Sequence, residues 1–289
     1  MNLVLINKNG DKLDLLNNTS RIILDQADGL HGIETDIGEV ESPYVDGVSI
    51  ETVRALPRGI ELGFKLVGDV EEAIQFFTSV VKSKQMVTLK EVSDKGELTI
   101  RGVATISPYS RMMQSCRIVL SIYCGQPYWE DVQQMVSDIS ASIGLLYFPV
   151  QGQFFTEEGR PFGVLDINVR KTFINNGDTA VGMVITINTF GVIENPRISC
   201  STGEQNGWWM QINTTLQEND EVVISTVRGN KYITINGSET YNGEPVANFL
   251  TFNGNDWLQL EQGANTFNIT SSGDTTLLYY TIAYKRRYE

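Results

Sequence analysis

The chain has 289 residues, of which 41% are hydrophobic, and its formal net charge is −13. This length fits two domains of roughly 100 to 200 residues, and the hydrophobic content excludes disorder as the main state. The acidity excludes a broad surface that neutralises phosphates, so we expect no sequence-specific nucleic-acid binding. The basic run Lys285, Arg286 and Arg287 is interpreted as a solvated strand end or a local ion-pair partner.

Targeting signals are weak throughout. The apolar stretch Leu3–Ile6 is followed at once by Lys8 and is shorter than the roughly 7 to 15 residues of a secretory core. No later stretch approaches the ~20 apolar residues of a membrane span. We therefore expect no membrane insertion and a product that is made and kept in the cytosol.

Three cysteines cannot all pair within one chain. Cys116 and Cys124 flank a strand-like segment, so their Cα atoms would lie about 27 Å apart at ~3.4 Å per residue. A disulfide needs a separation of about 5.5 Å. Cys200 stands alone, and we expect three buried thiols in a reducing compartment.

The first part of the chain mixes strands with two helical patterns. After Gly68, the helical spacing of apolar residues predicts a helix with Asp69 as its cap and Glu72 in a capping box. A second such pattern follows Pro127, and its apolar stripe consists of Trp129, Val132, Met135, Val136 and Ile139. Strands are predicted at Leu3–Ile6, Lys12–Leu16, Ile60–Val67, Met86–Glu91, Glu97–Ala104 and Arg117–Cys124. Residues 1–145 are therefore predicted to form an α+β domain with two helices and a dominant sheet or barrel-like sandwich.

An irregular stretch rich in proline, glycine and acidic residues, 146–162, predicts a linker. Beyond it, residues 163–289 show short strands between turn signals such as Asn176-Gly177, Asn219-Asp220 and Asn236-Gly237. Strands are predicted at Val164–Ile174, Val181–Thr189, Ile198–Cys200, Trp208–Thr214, Glu221–Thr226, Tyr232–Ile235, Leu258–Glu261, Thr266–Thr270 and Thr276–Tyr284. This pattern predicts an antiparallel β-sandwich of the jelly-roll or galectin-like kind, and the whole chain is predicted to be mainly β.

Residues for catalysis are sparse. His31 is the single histidine and lies in a loop-like stretch, so it has no second histidine for a metal site. The acid pairs Glu71-Glu72, Glu130-Asp131 and Glu157-Glu158 are adjacent in sequence, and their side chains diverge. A glycosidase instead needs two carboxylates that face each other about 5 to 10 Å apart. The loop Gly203–Gly207 has no lysine and precedes a strand, so it predicts a hairpin. We expect no catalytic residue, no metal and no cofactor.

Tryptophans supply the candidate contacts. Trp208 and Trp209 are consecutive in a predicted strand and therefore point to opposite faces. One can anchor the core while the other contacts a partner or a sugar. Trp257 is the third candidate, which leaves open a carbohydrate-binding module that contacts host surface sugars.

Several different short motifs follow one another in a characteristic order along the whole chain. In the first half they are Gly29–Gly32, Asp46-Gly47, Leu56–Leu62 and Cys124–Trp129. In the second half they are Asn175–Asp178, Asn195-Pro196, Thr202-Gly203, Asp220–Thr226 and Trp257–Leu260, followed by Gly263 and Asn265. With these motifs in this order, the chain resembles the siphophage distal tail protein (Dit) family.

The resemblance implies a structural virion protein at the distal tail, assembled in the host cytoplasm into a ring of typically six subunits. Such a ring joins the tail tube protein to the tail-associated or tip protein and often carries the receptor-binding protein. N-terminal domains line a central channel for DNA, and no active site is implied. Net acidity adds a hypothesis: a negative or neutral channel wall lets DNA pass without being trapped. A cell-wall hydrolase and a tail-like bacteriocin remain alternatives.

Overall fold

The computed structural model describes residues 2–16, 21–41, 44, 46–93, 96–109, 115–139, 141–144, 163–166, 170–273 and 275–289, with backbone alone at 141–144, 163–166 and 276. The fold is mainly β, as predicted, with several antiparallel sheets. Across these residues there is one α-helix, α1 (Val70–Val80), and two short 3-10 helices, Val246–Phe249 and Thr275–Leu277. No helix in the described part has the length and apolar character needed to cross a membrane.

The strands run in chain order from the N-terminus. The first ten are β1 (Asn2–Asn7), β2 (Lys12–Asp14), β3 (Ile22–Asp28), β4 (Thr35–Glu41), β5 (Val48–Ala55), β6 (Arg58–Val67), β7 (Gln85–Ser93), β8 (Gly96–Ile106), β9 (Ser115–Cys124) and β10 (Trp129–Asp131). The next nine are β11 (Met135–Asp138), β12 (Ala141–Gly144), β13 (Gly163–Asp166), β14 (Arg170–Asn175), β15 (Met183–Thr189), β16 (Ile193–Glu194), β17 (Arg197–Cys200), β18 (Trp209–Ile212) and β19 (Thr215–Leu216). The last eight are β20 (Glu221–Ser225), β21 (Tyr232–Ile235), β22 (Thr240–Tyr241), β23 (Glu244–Pro245), β24 (Leu250–Phe252), β25 (Gly263–Thr270), β26 (Leu278–Tyr284) and β27 (Arg287–Tyr288).

The chain divides into two compact units. The N-terminal unit comprises Met1–Gln133 together with Arg287–Glu289, and the C-terminal unit comprises Gln134–Arg286. The linker predicted at 146–162 lies outside the described residues. The division into domains 1–145 and 163–289 therefore stays a prediction.

A nine-stranded antiparallel sheet forms the N-terminal unit. Its main path is β2-β1-β7-β8-β9-β6-β3, and β10 joins β27 to β8. The longest pairing is that of β6 with β9, where ten residues of each strand are in register. Alternate residues of β6, including Ile60, Leu62 and Phe64, are fully buried. This alternation is expected of a strand with one face on the core.

Helix α1 forms as predicted and covers this sheet. The Asp69 side chain accepts a hydrogen bond from the Glu72 backbone N–H at 3.1 Å, which caps the first turn. Val70, Ala73, Phe77 and Val80 are its buried residues. The Phe77 ring meets Phe64 edge to face with centroids 5.1 Å apart, so the helix is held on β6.

The second predicted helix is wrong. The residues after Pro127 form β10 and β11, and Met135 and Val136 are exposed rather than buried. Strand β10 pairs with Tyr288 and Thr99, and β11 pairs with β26 near Tyr284. These partners are distant in sequence, and their ladders override a local pattern that only imitates helical spacing.

The C-terminal unit is built from two five-stranded antiparallel sheets. Their orders are β11-β26-β15-β20-β21 and β14-β25-β17-β18-β24. Every second residue of β15 and β26 is buried, and inward residues of both sheets belong to one hydrophobic core. This two-sheet packing is that of a sandwich. Its assignment as jelly-roll or galectin-like stays a prediction.

In this unit some local predictions are confirmed and one predicted strand is not. Asn195, Asn219 and Asn236 adopt positive φ at their predicted turns, where asparagine tolerates the left-handed conformation. The strand predicted at Leu258–Glu261 is reduced to one isolated bridge between Val181 and Leu260. All three cysteines are buried, as expected.

Candidate functional site

Three N-terminal motifs meet at one carbonyl group. The Leu30 oxygen accepts hydrogen bonds from Arg58 Nη1 at 2.6 Å and from Trp129 Nε1 at 2.8 Å. Gly29 has φ +75, and a Cβ there would lie 2.1 Å from the Gly59 oxygen. Only glycine fits this position, so the Gly29–Gly32 motif is explained by the contact of its loop with β6 and β10.

The buried Arg58 guanidinium, which donates to the Leu30 oxygen, has a structural role. It is 5% exposed, and the Cys124 thiol lies close enough to interact with it electrostatically. Burial raises the pKa of Cys124 to about 11, although the nearby Arg58 charge lowers it. Cys124 is therefore a neutral thiol at physiological pH and unsuited to nucleophilic chemistry.

The histidine and the acid pairs do not converge. His31 is exposed in the loop between β3 and β4. Glu130 forms an ion pair with Arg287 at 2.9 Å, and Glu72 pairs with Arg21 at the start of α1. Glu157 and Glu158 lie outside the described residues. Within the described ranges, no group of three or more His, Cys, Asp or Glu residues is arranged to hold a metal ion.

Trp208 and Trp209 occupy different environments. Trp208 packs against the sandwich core, and its ring lies against Gly254, where an added Cβ would come within 2.4 Å of ring atom Cε3. Trp209 alternates with the buried Met210 and therefore takes an outward position on β18. The guanidinium carbon of Arg197 stands 4.3 Å from the centre of its ring. This distance is within the range of a cation–π contact, which we call the Arg197–Trp209 stack.

Trp257 lies in the loop that follows β24. It packs partly against the core, and Lys231 Nζ lies 5.7 Å from its ring centre. Lys231 also forms an ion pair with Asp256, whose pKa is lowered chiefly by that hydrogen bond. The same loop reaches Trp209, since the Asn253 side chain accepts from the Trp209 backbone N–H at 2.7 Å. Two of the three candidate rings therefore already carry a cation.

The Gly203–Gly207 loop is the predicted hairpin connection, here between β17 and β18. A buried Gln205 anchors it, donating to Glu261 Oε1 at 2.7 Å and accepting from the Gln259 backbone N–H at 2.9 Å. The backbone of Gly207 donates to the Cys200 oxygen at 2.9 Å. This anchoring fixes the register that sets Ser199 opposite Trp209.

Charge distinguishes the sheet that carries Trp209. Strands β14, β25, β17, β18 and β24 contain no Asp or Glu, although the chain has 35 acidic residues. We call this five-stranded sheet the acid-free sheet. Two of its three basic residues, Arg170 and Arg197, flank β25 on either side, opposite Asn268 and Thr270. This surface is not evident from the sequence, because it forms only when strands that are distant in the chain pair with one another.

A second missed feature is the β4–β5 hairpin of the N-terminal unit. These strands pair only with each other among the described strands. Their apolar residues are unusually exposed, with Ile50 at 62% and Val53 at 63%. Ile37 lies directly opposite Val53 and is also exposed. The Asp46-Gly47 turn signal lies between the two strands and is the sequence feature that indicates the hairpin.

Residues 176–288 match the family model described as the siphovirus-type tail component, C-terminal domain. The resemblance to the distal tail protein family is confirmed. The motifs of this family in the second half, such as Asp220–Thr226 and Trp257–Leu260, all lie inside the matched residues except the first part of Asn175–Asp178. No curated protein matches the chain.

Among solved structures, phage proteins are similar to this chain. The SPP1 Dit (gp 19.1) protein, described as a paradigm of the hub adsorption apparatus in phages infecting Gram-positive bacteria, is 13% identical, with a TM-score of 0.64 and 99% of each chain covered. A chain of the phage P2 baseplate, in its activated conformation with calcium, is 12% identical, with a TM-score of 0.48 and coverage of 99% of this chain and 97% of that one. At 13% identity, the similarity to the SPP1 protein concerns the fold alone.

Proposed function

We propose that this protein is a non-enzymatic structural component of a phage tail, placed at the distal end of the virion tail after assembly in the host cytoplasm. The observation that carries the proposal is the match of residues 176–288 to the siphovirus-type tail component. The shared fold with SPP1 Dit across the whole chain supports it. The function is to hold other tail proteins in place.

The protein acts as a homo-oligomeric ring, for which the family resemblance implies six subunits. The exposed apolar residues of β4 and β5 support self-association, because a monomeric soluble protein rarely presents such a cluster to water. The ends of the nine-stranded sheet, β2 and β3, are edge strands. A closed symmetric assembly covers apolar surface and such edges at the same time.

The ring joins the tail tube protein to the tail-associated or tip protein and supports the receptor-binding apparatus. Its central channel passes DNA. The net charge of −13 favours a channel wall that does not trap the phosphate backbone. An imaged ring with a channel lined by lysine and arginine would contradict this part of the proposal.

The first test is the mass of the full-length protein in solution. Light scattering over a range of concentrations, followed by negative-stain imaging of the same fraction, is expected to show a closed ring of about six subunits. A monodisperse monomer, both alone and after mixing with the tail tube protein, would contradict it.

The contribution of the hairpin is tested with Ile50→Glu combined with Val53→Glu. Both side chains are largely exposed, so the variant should fold, while the two charges oppose burial at a subunit contact. The matched control is Val192→Glu, since Val192 is 58% exposed on the C-terminal unit. We expect the hairpin variant to stay monomeric and the control to form rings. Normal rings from the hairpin variant would exclude the hairpin as the contact.

The second candidate function is binding of neutral sugars by Trp208, Trp209 or Trp257. Stacking on a sugar needs an open ring face, whereas Trp208 lies against Gly254 and the Arg197 guanidinium lies over one face of Trp209. A glycan array with the full chain is expected to show no neutral glycan bound through these rings.

Purified cell walls are expected to keep their turbidity when the protein is added, because the proposed role is structural. Clearing of the cell walls would indicate a hydrolase.

A further inference from the structure

The acid-free sheet is an electrostatic exception in this chain. Acidic residues outnumber basic ones by 35 to 22, yet none of the 35 falls on these five strands. Arg170 and Arg197 are exposed or half-buried there, and neither forms an ion pair within the described residues. The guanidinium charges of this sheet therefore have no acidic neighbour on the same five strands.

The outward positions of the sheet carry hydrogen-bonding groups. Ile198, Cys200, Met210 and Ile212 belong to the core, so their neighbours along β17 and β18 face outward. The register places Arg197 beside Gln211 and Ser199 beside Trp209. On the other side of β17, Ser199 lies opposite Asn268. The face is thus a continuous array of hydroxyl and amide groups around the arginine.

The Arg197–Trp209 stack prepares this arginine for a ligand. The guanidinium carbon of Arg197 lies over the Trp209 ring, so the N–H groups that do not face the ring can donate to an acid group. The Arg197 side chain needs no rearrangement before it binds a ligand, which lowers the entropic cost of association. The stack also explains why the Trp209 ring is unsuited to stacking on a neutral sugar.

We propose that the outer face of the acid-free sheet binds an acidic polysaccharide, a polymer whose sugar rings bear ionised acid groups. Arg197 pairs with an acid group through two parallel hydrogen bonds, which is the geometry that arginine favours. Ser199, Gln211 and Asn268 hydrogen-bond the sugar hydroxyls. Arg170 attracts a further acid group along the polymer.

The hydroxyl and amide groups are what favour a sugar polymer over a simple polyanion. Serine, asparagine and glutamine can donate and accept, as sugar hydroxyls do. A site that binds a simple polyanion would instead be expected to carry several basic residues close together. This proposal concerns ligand binding by the C-terminal unit and does not depend on ring formation.

The test uses the full-length chain and three polymers of similar length. Polygalacturonate is the acidic sugar polymer, its methyl-esterified form has the same backbone without charges, and polyglutamate is a polyanion without sugars. Binding is measured by titration calorimetry at low and at physiological salt. We expect polygalacturonate to bind more tightly than either of the others, with affinity that falls as salt rises.

Three variants locate the binding. Arg197→Gln removes the charge and keeps most of the stem, and should weaken binding by about tenfold or more. Arg197→Lys keeps the charge but lacks the planar guanidinium group, so its affinity should lie between those of the wild type and Arg197→Gln. Arg101→Gln removes one exposed charge from the N-terminal unit and should change affinity by less than about twofold. Thermal unfolding of each variant verifies that it is folded.

Each outcome decides the proposal. Tight polygalacturonate binding that is lost in Arg197→Gln and kept in Arg101→Gln supports it. Equal binding of polyglutamate overturns it, since the face then recognises charge alone. Equal binding by the wild type and by a folded Arg197→Gln variant also overturns it, as does the absence of polygalacturonate binding at low salt.

Discussion

The two five-stranded sheets of the C-terminal unit share one core but differ in surface charge. Strands β11, β26, β15, β20 and β21 contain Asp138 and Glu221 and no lysine or arginine. The acid-free sheet contains Arg170, Lys171 and Arg197 and no acid. Both sheets bury alternate residues in the same way.

This difference shows which positions are constrained by folding. The core constrains alternate residues of the strands. The first sheet meets that requirement with Ile, Val, Leu, Met and Tyr, and the acid-free sheet meets it chiefly with Ile, Met, Phe and Cys. The outward residues are under no such constraint, so their charges can be set by what each face contacts. The comparison predicts that core changes affect both sheets alike and that surface changes affect binding more than stability.

The largest effect is expected from the shared core. Phe267 of the acid-free sheet is fully buried and meets Phe173 with ring centres 5.9 Å apart. Phe267→Ala should lower the free energy of unfolding by about 3–5 kcal/mol because it leaves a cavity. Ile185→Ala in the opposite sheet should cost about 2–5 kcal/mol. Urea denaturation measures both, and a large loss from one sheet only would break the comparison.

A smaller effect is expected at the turn that leads into β20. Burial alone would raise the pKa of Asp220, but hydrogen bonds from Asn236, from the Gln217 backbone and from Tyr241 lower it. Asp220→Ala should cost about 1–3 kcal/mol at neutral pH, because it strands these donors.

The pH dependence of that loss follows from the sign of the shift. A carboxyl group whose pKa is lowered on folding contributes fully above its unfolded pKa of about 3.9, and its contribution disappears as pH falls through the folded value. Unfolding measured from pH 7 to pH 2 should therefore show the wild type and Asp220→Ala converging below about pH 4. A gap that stays constant would contradict this account.

Tyr241 should reveal the same hydrogen bond at alkaline pH. Burial, and then the hydrogen bond and charge of Asp220, raise the pKa of Tyr241 to about 12. A raised pKa stabilises the fold fully below the unfolded value of about 10, and the contribution is lost as pH rises toward 12. Tyr241→Phe should reduce the loss of stability measured by denaturation between pH 9 and 12, while the raised pKa values of Tyr279 and Tyr280 still contribute. An identical decline in the variant would exclude Tyr241 as its source.

The smallest effects are expected at the outward charges. Arg197→Gln loses a cation–π contact and should cost about 0.5–1 kcal/mol of unfolding free energy. Glu221→Gln on the opposite sheet is exposed and should stay within about 0.5 kcal/mol. Thermal denaturation compares the two. A cost above about 2 kcal/mol for Arg197→Gln would mean that the stack holds the fold together rather than serving binding.

Local signals explain what could be predicted from sequence. Helix α1 was predictable because its cap and its apolar face lie within twelve neighbouring residues, and Asp69 needs no distant partner. The turns at Asn219 and Asn236 follow from the backbone preference of asparagine. The opposite environments of Trp208 and Trp209 follow from strand alternation.

Distant pairing explains the failures. The segment from Trp129 to Asp138 has helical spacing, but its partners Tyr284 and Tyr288 lie near the end of the chain. The β4–β5 hairpin has no buried face, so its strands lack the alternation that marks the others. The Arg197–Trp209 stack depends on the β17–β18 register, which is set by the Gln205 loop anchor and cannot be inferred from composition.

Amide hydrogen exchange on the full-length protein, compared between dilute and assembled samples, tests the central claim of a ring-forming tail protein most directly. We expect the amides of β4 and β5 to exchange more slowly in the assembled sample, while the exposed residues of β17 and β18 are unchanged. A sample that never assembles, or slower exchange on β17 and β18 with none on the hairpin, would contradict the account.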